Sequence, residues 1–266
     1  MRILYVIIGA GLLSTAALWL GQMGALRRRT AALAAVLLLA AGGGLLLQAV
    51  LPENSFYGPV LYKVNTDKKL IALTFDDGPY PPYTGRLLEV LREKNVHATF
   101  FVVGENAARH PELVKQAAAE GHEVALHAGT HRDLLKLNGR ETAENIAAGK
   151  KTLTEITGQE PRFMRPPHGF KDWRVMREIE RAGLTAVNWS VIPRDWTNPG
   201  TEVIVQRVCE KAFPGAIVLL HDGDSPKNAA SREQTVQAAG KIIDRLRGEG
   251  YEFVTVGRLQ QAATEK

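Results

Sequence analysis

Two adjacent carboxylates, Asp76 and Asp77, stand in the run Thr74-Phe75-Asp76-Asp77-Gly78-Pro79, and two imidazoles stand four residues apart in His127-Ala128-Gly129-Thr130-His131. Histidines at that spacing can reach one ion from a single helical turn or a tight loop, each as a neutral ligand at about 2.0–2.1 Å from zinc. Two ligands are too few. A carboxylate from another strand completes a three-ligand set with room for water and substrate, and Asp76 or Asp77 can supply it. The remaining carboxylate is then free to take a proton from a water whose pKa a nearby ion lowers toward ~7. Neighbouring side chains on an extended backbone point to opposite sides, so the pair is expected to divide these two tasks.

Three further stretches enlarge the set. Arg165, in Arg165-Pro166-Pro167-His168-Gly169, keeps its charge and is suited to hold a carboxylate in place, with Asp195 of Asp195-Trp196 as a partner. His221, in Leu219-Leu220-His221-Asp222, can give a proton to a leaving amine near neutral pH. These are the tools of a hydrolase. A glycosidase is disfavoured, because its two carboxylates face each other across ~5–9.5 Å with the sugar between them, which sequential neighbours do not readily do. His97, His110 and His122 lie within or before elements and read as structural or exposed. Cys209 is the only cysteine, which excludes an internal disulfide and a cysteine-based zinc site, and its setting reads as a helix core position.

What must position these groups is legible in the alternation of short apolar runs with longer amphipathic ones. Strands are expected at Leu70–Phe75, Val96–Val103, Glu123–Leu126, Arg162–Met164, Leu184–Trp189, Ala216–Leu220 and Tyr251–Val256. Helical patterns fall near Thr84–Glu93, Pro111–Glu120, Arg140–Thr157, Asp172–Arg181, Thr201–Ala212 and Ser231–Arg247, with Gly121, Gly158, Gly183 and Gly250 at the helix ends. Seven such units fit an α/β fold, a barrel related to the (β/α)₈ or TIM type, although an open doubly wound sheet shares the local pattern. The placement of the motifs favours the barrel. Each follows a different strand, and barrels gather catalytic groups from the C-terminal ends of several strands.

The composition changes near Pro52. Before it there is no Asp or Glu, and the only charges are Arg2, Arg27, Arg28 and Arg29. Ile3 to about Gly21 and Ala31 to Leu51 are apolar runs near the ~20 residues that cross a bilayer as a helix. The division expected is residues 1–52 as a membrane segment and 53–266 as the catalytic domain, with Glu53–Lys69 a short tether. The arginine triplet should stay cytoplasmic, which puts the catalytic domain on the extracytoplasmic side of the cell membrane. Were Met23 the true start, a single signal-anchor or signal peptide would leave it on the same side; a buried hairpin of a soluble protein is the weaker alternative. Of 33 basic residues 4 precede Pro52, leaving 29 against 28 acidic ones, so the domain is near neutral and nothing points to nucleic acid as a partner.

The five stretches, in this order and spacing, resemble those of the polysaccharide deacetylases, the NodB-homology or carbohydrate esterase family 4 group, over about Val64 to Val256. Thr-Phe-Asp-Asp-Gly-Pro and the His-x-x-x-His block carry most of the likeness. The resemblance implies a distorted (β/α)₇ barrel and a hydrolase that removes N-acetyl groups, less often O-acetyl groups, from N-acetylated glycans such as peptidoglycan or chitin-like oligomers. It implies a divalent metal, zinc being the expected ion, held by Asp77, His127 and His131. Asp76 would be the base, Arg165 and Asp195 would orient it, and His221 would be the acid. Trp196 and Leu219 would line the acetyl pocket, and the backbone N–H of His168 would hold the oxyanion. Ala128 departs from the family's frequent Ser or Thr and removes a hydroxyl that could brace the loop, while His168 departs from a frequent Tyr, which puts substrate choice in question. The rival readings are an O-acetyl esterase and a catalytically silent envelope protein that binds glycan.

Overall fold

In the computed structural model, residues 3–25, 27–224 and 229–262 are described. Two apolar helices, α1 (Ile3–Gln22) and α2 (Arg28–Val50), run antiparallel and are long and apolar enough to cross a membrane. Small residues bring their backbones together: a Cβ on Gly21 would come within 2.6 Å of the Ala31 Cβ, and the Ser14 hydroxyl donates to the Ala35 carbonyl at 3.2 Å. Large apolar side chains, among them Leu12, Leu13, Leu33 and Val36, are left facing outward. Close contact between backbones through small residues is a packing that helices in lipid also use.

The stretch expected to be a tether is instead bound to the barrel. The Leu61 N–H donates to the Ala186 carbonyl at 2.9 Å and the Val64 N–H to the Gly215 carbonyl at 2.9 Å, while Lys63 bridges Ala216. From there β1 (Leu70–Asp76), α3 (Tyr83–Glu93), β2 (Thr99–Val102), α4 (Gly104–Arg109), α5 (Pro111–Ala119) and β3 (Glu123–Leu126) follow in order. Next come α6 (Gly139–Thr157), β4 (Phe163–Met164), α7 (Trp173–Arg181), β5 (Thr185–Ala186), α8 (Thr201–Cys209), β6 (Ala216–His221), α9 (Glu233–Gly248), β7 (Glu252–Phe253) and α10 (Val256–Ala262). Every strand pairing is parallel, in the order β5-β4-β3-β2-β1-β6, and β7 pairs with the first residues of β1. The sheet curls until a bridge from Val191 to Val218 draws the chain beyond β5 onto β6. This is a barrel, as the motif placement anticipated, in the distorted seven-stranded form that the resemblance implies.

The expected length of the fifth strand fails for a physical reason. Leu184–Trp189 pairs with β4 only over Thr185–Ala186, because the chain then leaves β4 to meet Leu61 and afterwards β6. Curvature, not propensity, sets that boundary. The short α4 was not anticipated, since six residues are too few to show a helical period. Gly121, Gly158, Gly183 and Gly250 do stop α5, α6, α7 and α9, all with positive φ.

Strand alternation sorts the side chains of β1 into two environments. Ile71, Leu73 and Phe75 join the apolar layer beneath the helices, whereas Ala72 joins a separate cluster with Phe101, Ala125, Phe163 and Ile217 inside the barrel. Val256 and Leu259 of α10 belong to that inner cluster. Thr74 and Asp76 continue the inward row of Ala72, so the barrel interior turns from apolar to polar along β1.

Candidate metal and catalytic site

The polar end of the barrel is assembled from the strand ends. Register places Asp76 of β1 beside His221 of β6, His127 directly follows β3, and the Arg165 N–H after β4 donates to the Leu126 carbonyl at 2.9 Å. At Asp77 the backbone enters the left-handed region, φ 75°, which breaks the extended alternation. The two carboxylates therefore do not point to opposite sides: Asp76 Oδ2 lies 3.9 Å and Asp77 Oδ1 3.3 Å from the same His127 Nε2. The turn is held by close packing against the loop after β6, where a Cβ on Gly223 would come within 2.2 Å of the Asp77 carbonyl carbon.

Asp77 Oδ1 is also 3.2 Å from His131 Nε2, and it is buried with no hydrogen-bond donor. One ligand atom from each of Asp77, His127 and His131 lies within 4.8 Å of the other two. An orphaned carboxylate oxygen facing two imidazole nitrogens fits a divalent cation. His127 Nδ1 lies 2.8 Å from the Arg165 carbonyl, which can only accept, so the proton sits on Nδ1 and the Nε2 lone pair faces Asp77. Burial alone would raise the Asp77 carboxyl, but its contacts with His127, and then with His221 and His131, outweigh that and hold it well below the usual range. Burial, together with the neighbouring His127, pulls His131 down to about 4. At neutral pH the set thus offers a charged carboxylate and a neutral imidazole, the forms that bind metal.

Asp76 has its own partner. Arg165, fully buried, donates from Nη1 to Asp76 Oδ1 at 2.5 Å and to Thr74 Oγ1 at 2.8 Å, and from Nη2 to the Asn188 carbonyl at 3.0 Å. Its guanidinium lies 4.0 Å from the centre of the Phe101 ring. The expected pairing of Arg165 with Asp195 is not formed. Asp195 lies in a 3-10 turn, Asp195–Thr197, and faces His221: Oδ2 accepts from the His221 N–H at 2.8 Å and Oδ1 lies 2.9 Å from His221 Nδ1. Burial would lower His221, but the charge and hydrogen bond of Asp195 raise it to about 9, so the ring is an imidazolium at neutral pH. Each candidate proton-transfer group is braced by an opposite charge, and the two braces are separate.

The polysaccharide deacetylase model matches residues 63–187. A peptidoglycan-N-acetylglucosamine deacetylase of Bacillus cereus is 42% identical over 204 residues, covering 76% of this chain and 93% of that protein. A chitooligosaccharide deacetylase of Bradyrhizobium sp. is 44% identical over 190 residues, 69% of this chain and 87% of that one. The chain belongs to the polysaccharide deacetylase family. The fold agrees, since the crystal structure of the Bc1960 peptidoglycan N-acetylglucosamine deacetylase superposes with a TM-score of 0.73 at 33% identity, over 76% of this chain and 92% of that one. Family membership makes the protein a hydrolytic deacetylase, as its motifs imply.

In this deacetylase the cluster lines a cavity of about 320 Å³. His168, Trp196 and Leu219 are on its wall, His168 edge-on to His131 at 4.9 Å and Trp196 edge-on to His221 at 5.1 Å between ring centres. Phe170, Trp189, Ile192, Asp224 and Arg232 complete it, and none of them stands out in the sequence. Two supports were also missed. Thr235 donates to Asp195 Oδ2 at 2.9 Å, and Asn188 gives Arg165 its third acceptor. Neither left a trace for this: the Asn188 acceptor is its backbone carbonyl, which any residue would supply, and Thr235 lies on the inner face of α9. His122 serves structure, its Nδ1 accepting from the Ala98 N–H at 3.1 Å.

Proposed function

We propose that the chain is a membrane-anchored, divalent-metal-dependent enzyme that removes N-acetyl groups from amino-sugar glycans, peptidoglycan or chitin-like oligosaccharides, and releases acetate. Residues 1–52 serve as the anchor and 53–266 as the catalytic domain on the extracytoplasmic side. The observation that carries the reading is the orphaned Asp77 Oδ1 facing His127 and His131, with Asp76 and the His221 imidazolium on the same cavity. The names of the relatives support the amino-sugar substrate.

Asp77, His127 and His131 would hold the ion, zinc being the expected one, which when bound supplies a Lewis acid for the acetyl carbonyl and an acidified water. Arg165 occupies Asp76 Oδ1 and leaves Oδ2, the oxygen on the His127 side, to take the proton of the attacking water. As the carbonyl carbon becomes tetrahedral, the backbone N–H of His168 is assigned to its oxygen. His221 gives its proton to the nitrogen as the C–N bond breaks, so an amine leaves rather than an amide anion. Trp196 and Leu219 are assigned to the acetyl methyl.

Acetate release by the full chain in detergent, from matched N- and O-acetylated oligosaccharides, tests the reading. Release from the N-acetyl substrate should be lost on chelation and restored by zinc. Faster release from the O-acetyl substrate would make the protein an esterase, and none from either by folded, metal-loaded protein would make it a silent glycan-binding protein.

A further inference from the structure

The rim of the cavity that carries His131 and His168 is also where the apolar hairpin is fastened. The Lys171 N–H donates to the Ala49 carbonyl at 3.0 Å and its ammonium to the Leu51 carbonyl at 2.6 Å, so one buried cation satisfies the end of α2. The next residue, Asp172, accepts from the Ile3 N–H at 3.4 Å and so places an anion at the start of α1. Asn188 donates from Nδ2 to the Pro52 carbonyl at 3.0 Å and to the Gly169 carbonyl at 3.3 Å. The turn Leu134–Lys136, three residues after His131, also touches α1. The hairpin end facing the domain is opposite the end bearing Arg27–Arg29.

An aromatic group stands at the same level. Tyr57 packs against Phe56 at 5.0 Å and Trp173 at 5.4 Å between ring centres, its hydroxyl donates to the Leu45 carbonyl of α2 at 2.8 Å, and Phe56 is 63% exposed. Aromatic rings at the ends of apolar helices mark the headgroup layer. The connection from α2 to the site is short: Pro52 to Asn188, Asn188 to Gly169, and His168 beside His131. With contacts of 3–5 Å and one residue step of ~3.8 Å, this chain spans less than roughly 20 Å. Residues 53–69 cannot extend that reach, because Leu61, Lys63 and Val64 are hydrogen-bonded or bridged to the barrel.

We infer that the active-site mouth is fastened at the membrane surface, and that the substrate is an N-acetylated amino-sugar glycan carried on a membrane lipid. This rests on the deacetylase reading above and narrows it. A domain docked on its own anchor with no slack acts on sugars within a headgroup's reach of the bilayer, and a polymer strand lying further out is beyond it.

The full chain, zinc-loaded, is placed in phosphatidylglycerol–phosphatidylethanolamine vesicles with one N-acetylglucosamine oligomer in three forms. One is free in solution, one is coupled directly to a dialkylglycerol lipid, and one is coupled through a polyproline spacer of about 20 residues, which lifts it by roughly 60 Å. Release from the directly coupled form should exceed that from the lifted form at least tenfold. Equal or faster release from the lifted form overturns the membrane assignment alone, whereas no release from any form overturns the deacetylase reading and the assignment with it. A second readout is independent of turnover. A nitroxide on Lys136→Cys should be relaxed by a headgroup-bound paramagnetic ion far more strongly than one on Lys151→Cys, well along α6, and equal relaxation at the two overturns the proposal.

Discussion

The two sides of the site solve the same problem, holding a charge in a buried place, in opposite ways. On the proposed base side the supporting charge is an arginine with no exposure, fixed by Thr74, Asn188 and the face of Phe101; burial lowers its pKa, Asp76 opposes that, and a guanidinium stays charged in the working range. On the acid side the supporting charge is the Asp195 carboxylate and the supported group is itself titratable, with His221 raised to about 9. The proposed base is held by a guanidinium, and the proposed acid owes its proton to its partner. The first arrangement fixes geometry and the second sets a pH limit, so damage to each should be read with a different instrument.

The largest effect is expected at the base. Asp76→Asn should lower the rate of acetate release by about 10³-fold, within the 10²–10⁴ typical of general acid–base groups, while leaving bound zinc unchanged. Rate and metal content measured on the same sample decide the division between the adjacent carboxylates. Loss of zinc along with the rate would mean that Asp76 is a ligand as well, an outcome their shared approach to His127 makes worth checking.

Arg165→Met comes next and is read in stability. It leaves Asp76 buried without its counter-charge, and breaking a buried pair from one side costs about 3–5 kcal/mol. Urea unfolding at neutral pH should show that loss. A change of less than about 1 kcal/mol would show that Asp76 does not depend on this counter-charge for its stability.

The resemblance implied that Arg165 orients Asp76, as found; that Asp195 serves His221 instead of joining Arg165 or the base was not legible in the sequence, and the reason is physical. Residue types announce charge and strand-end position, and the five motifs were found because each interrupts an apolar run with groups a barrel can gather at one end. Which anion meets which cation depends on register, and both Asp76 and Asp195 were compatible with Arg165 before Asp76 was seen level with His221. The turn at Asp77 was hidden for a related reason: Asp-Gly-Pro announces a bend but not the residue that takes the positive φ. Residues 53–69 read as a tether because isolated bridges, such as Leu61 to Val187 and Lys63 to Ala216, are too few to leave a period. The seven βα units were legible throughout, since burial on one face repeats over enough residues to be seen.

On the acid side the effect is expected in the pH profile. If His221 is the proposed proton donor, deacetylation by the wild type should fall as pH rises through about 9, where its imidazolium is lost. Asp195→Asn removes the largest charge that raises His221 and leaves the burial that lowers it, together with the smaller raising effects of Asp77 and Asp76. The alkaline limb should therefore move down from about 9 toward the ordinary histidine value of ~6.5, with the metal content unchanged. A limb that stays near 9 in this variant would assign the alkaline loss to another group and break the contrast between the two sides.

The smallest effect sharpens the contrast. Thr235→Val removes one of two hydrogen bonds to Asp195 Oδ2 and leaves the other, from the His221 N–H, along with the Oδ1 contact to the ring. Without that donor the carboxylate is less well satisfied, but it remains charged and in place. The alkaline limb should move by less than about 1 pH unit, since a unit corresponds to ~1.4 kcal/mol and a single neutral donor is worth no more than about that. The direction discriminates. Less hydrogen bonding to Asp195 leaves its negative charge more available to His221, so the limb should move upward, opposite to Asp195→Asn. A downward shift would show that Thr235 acts by holding Asp195 in position, so that even on the acid side geometry outweighs charge.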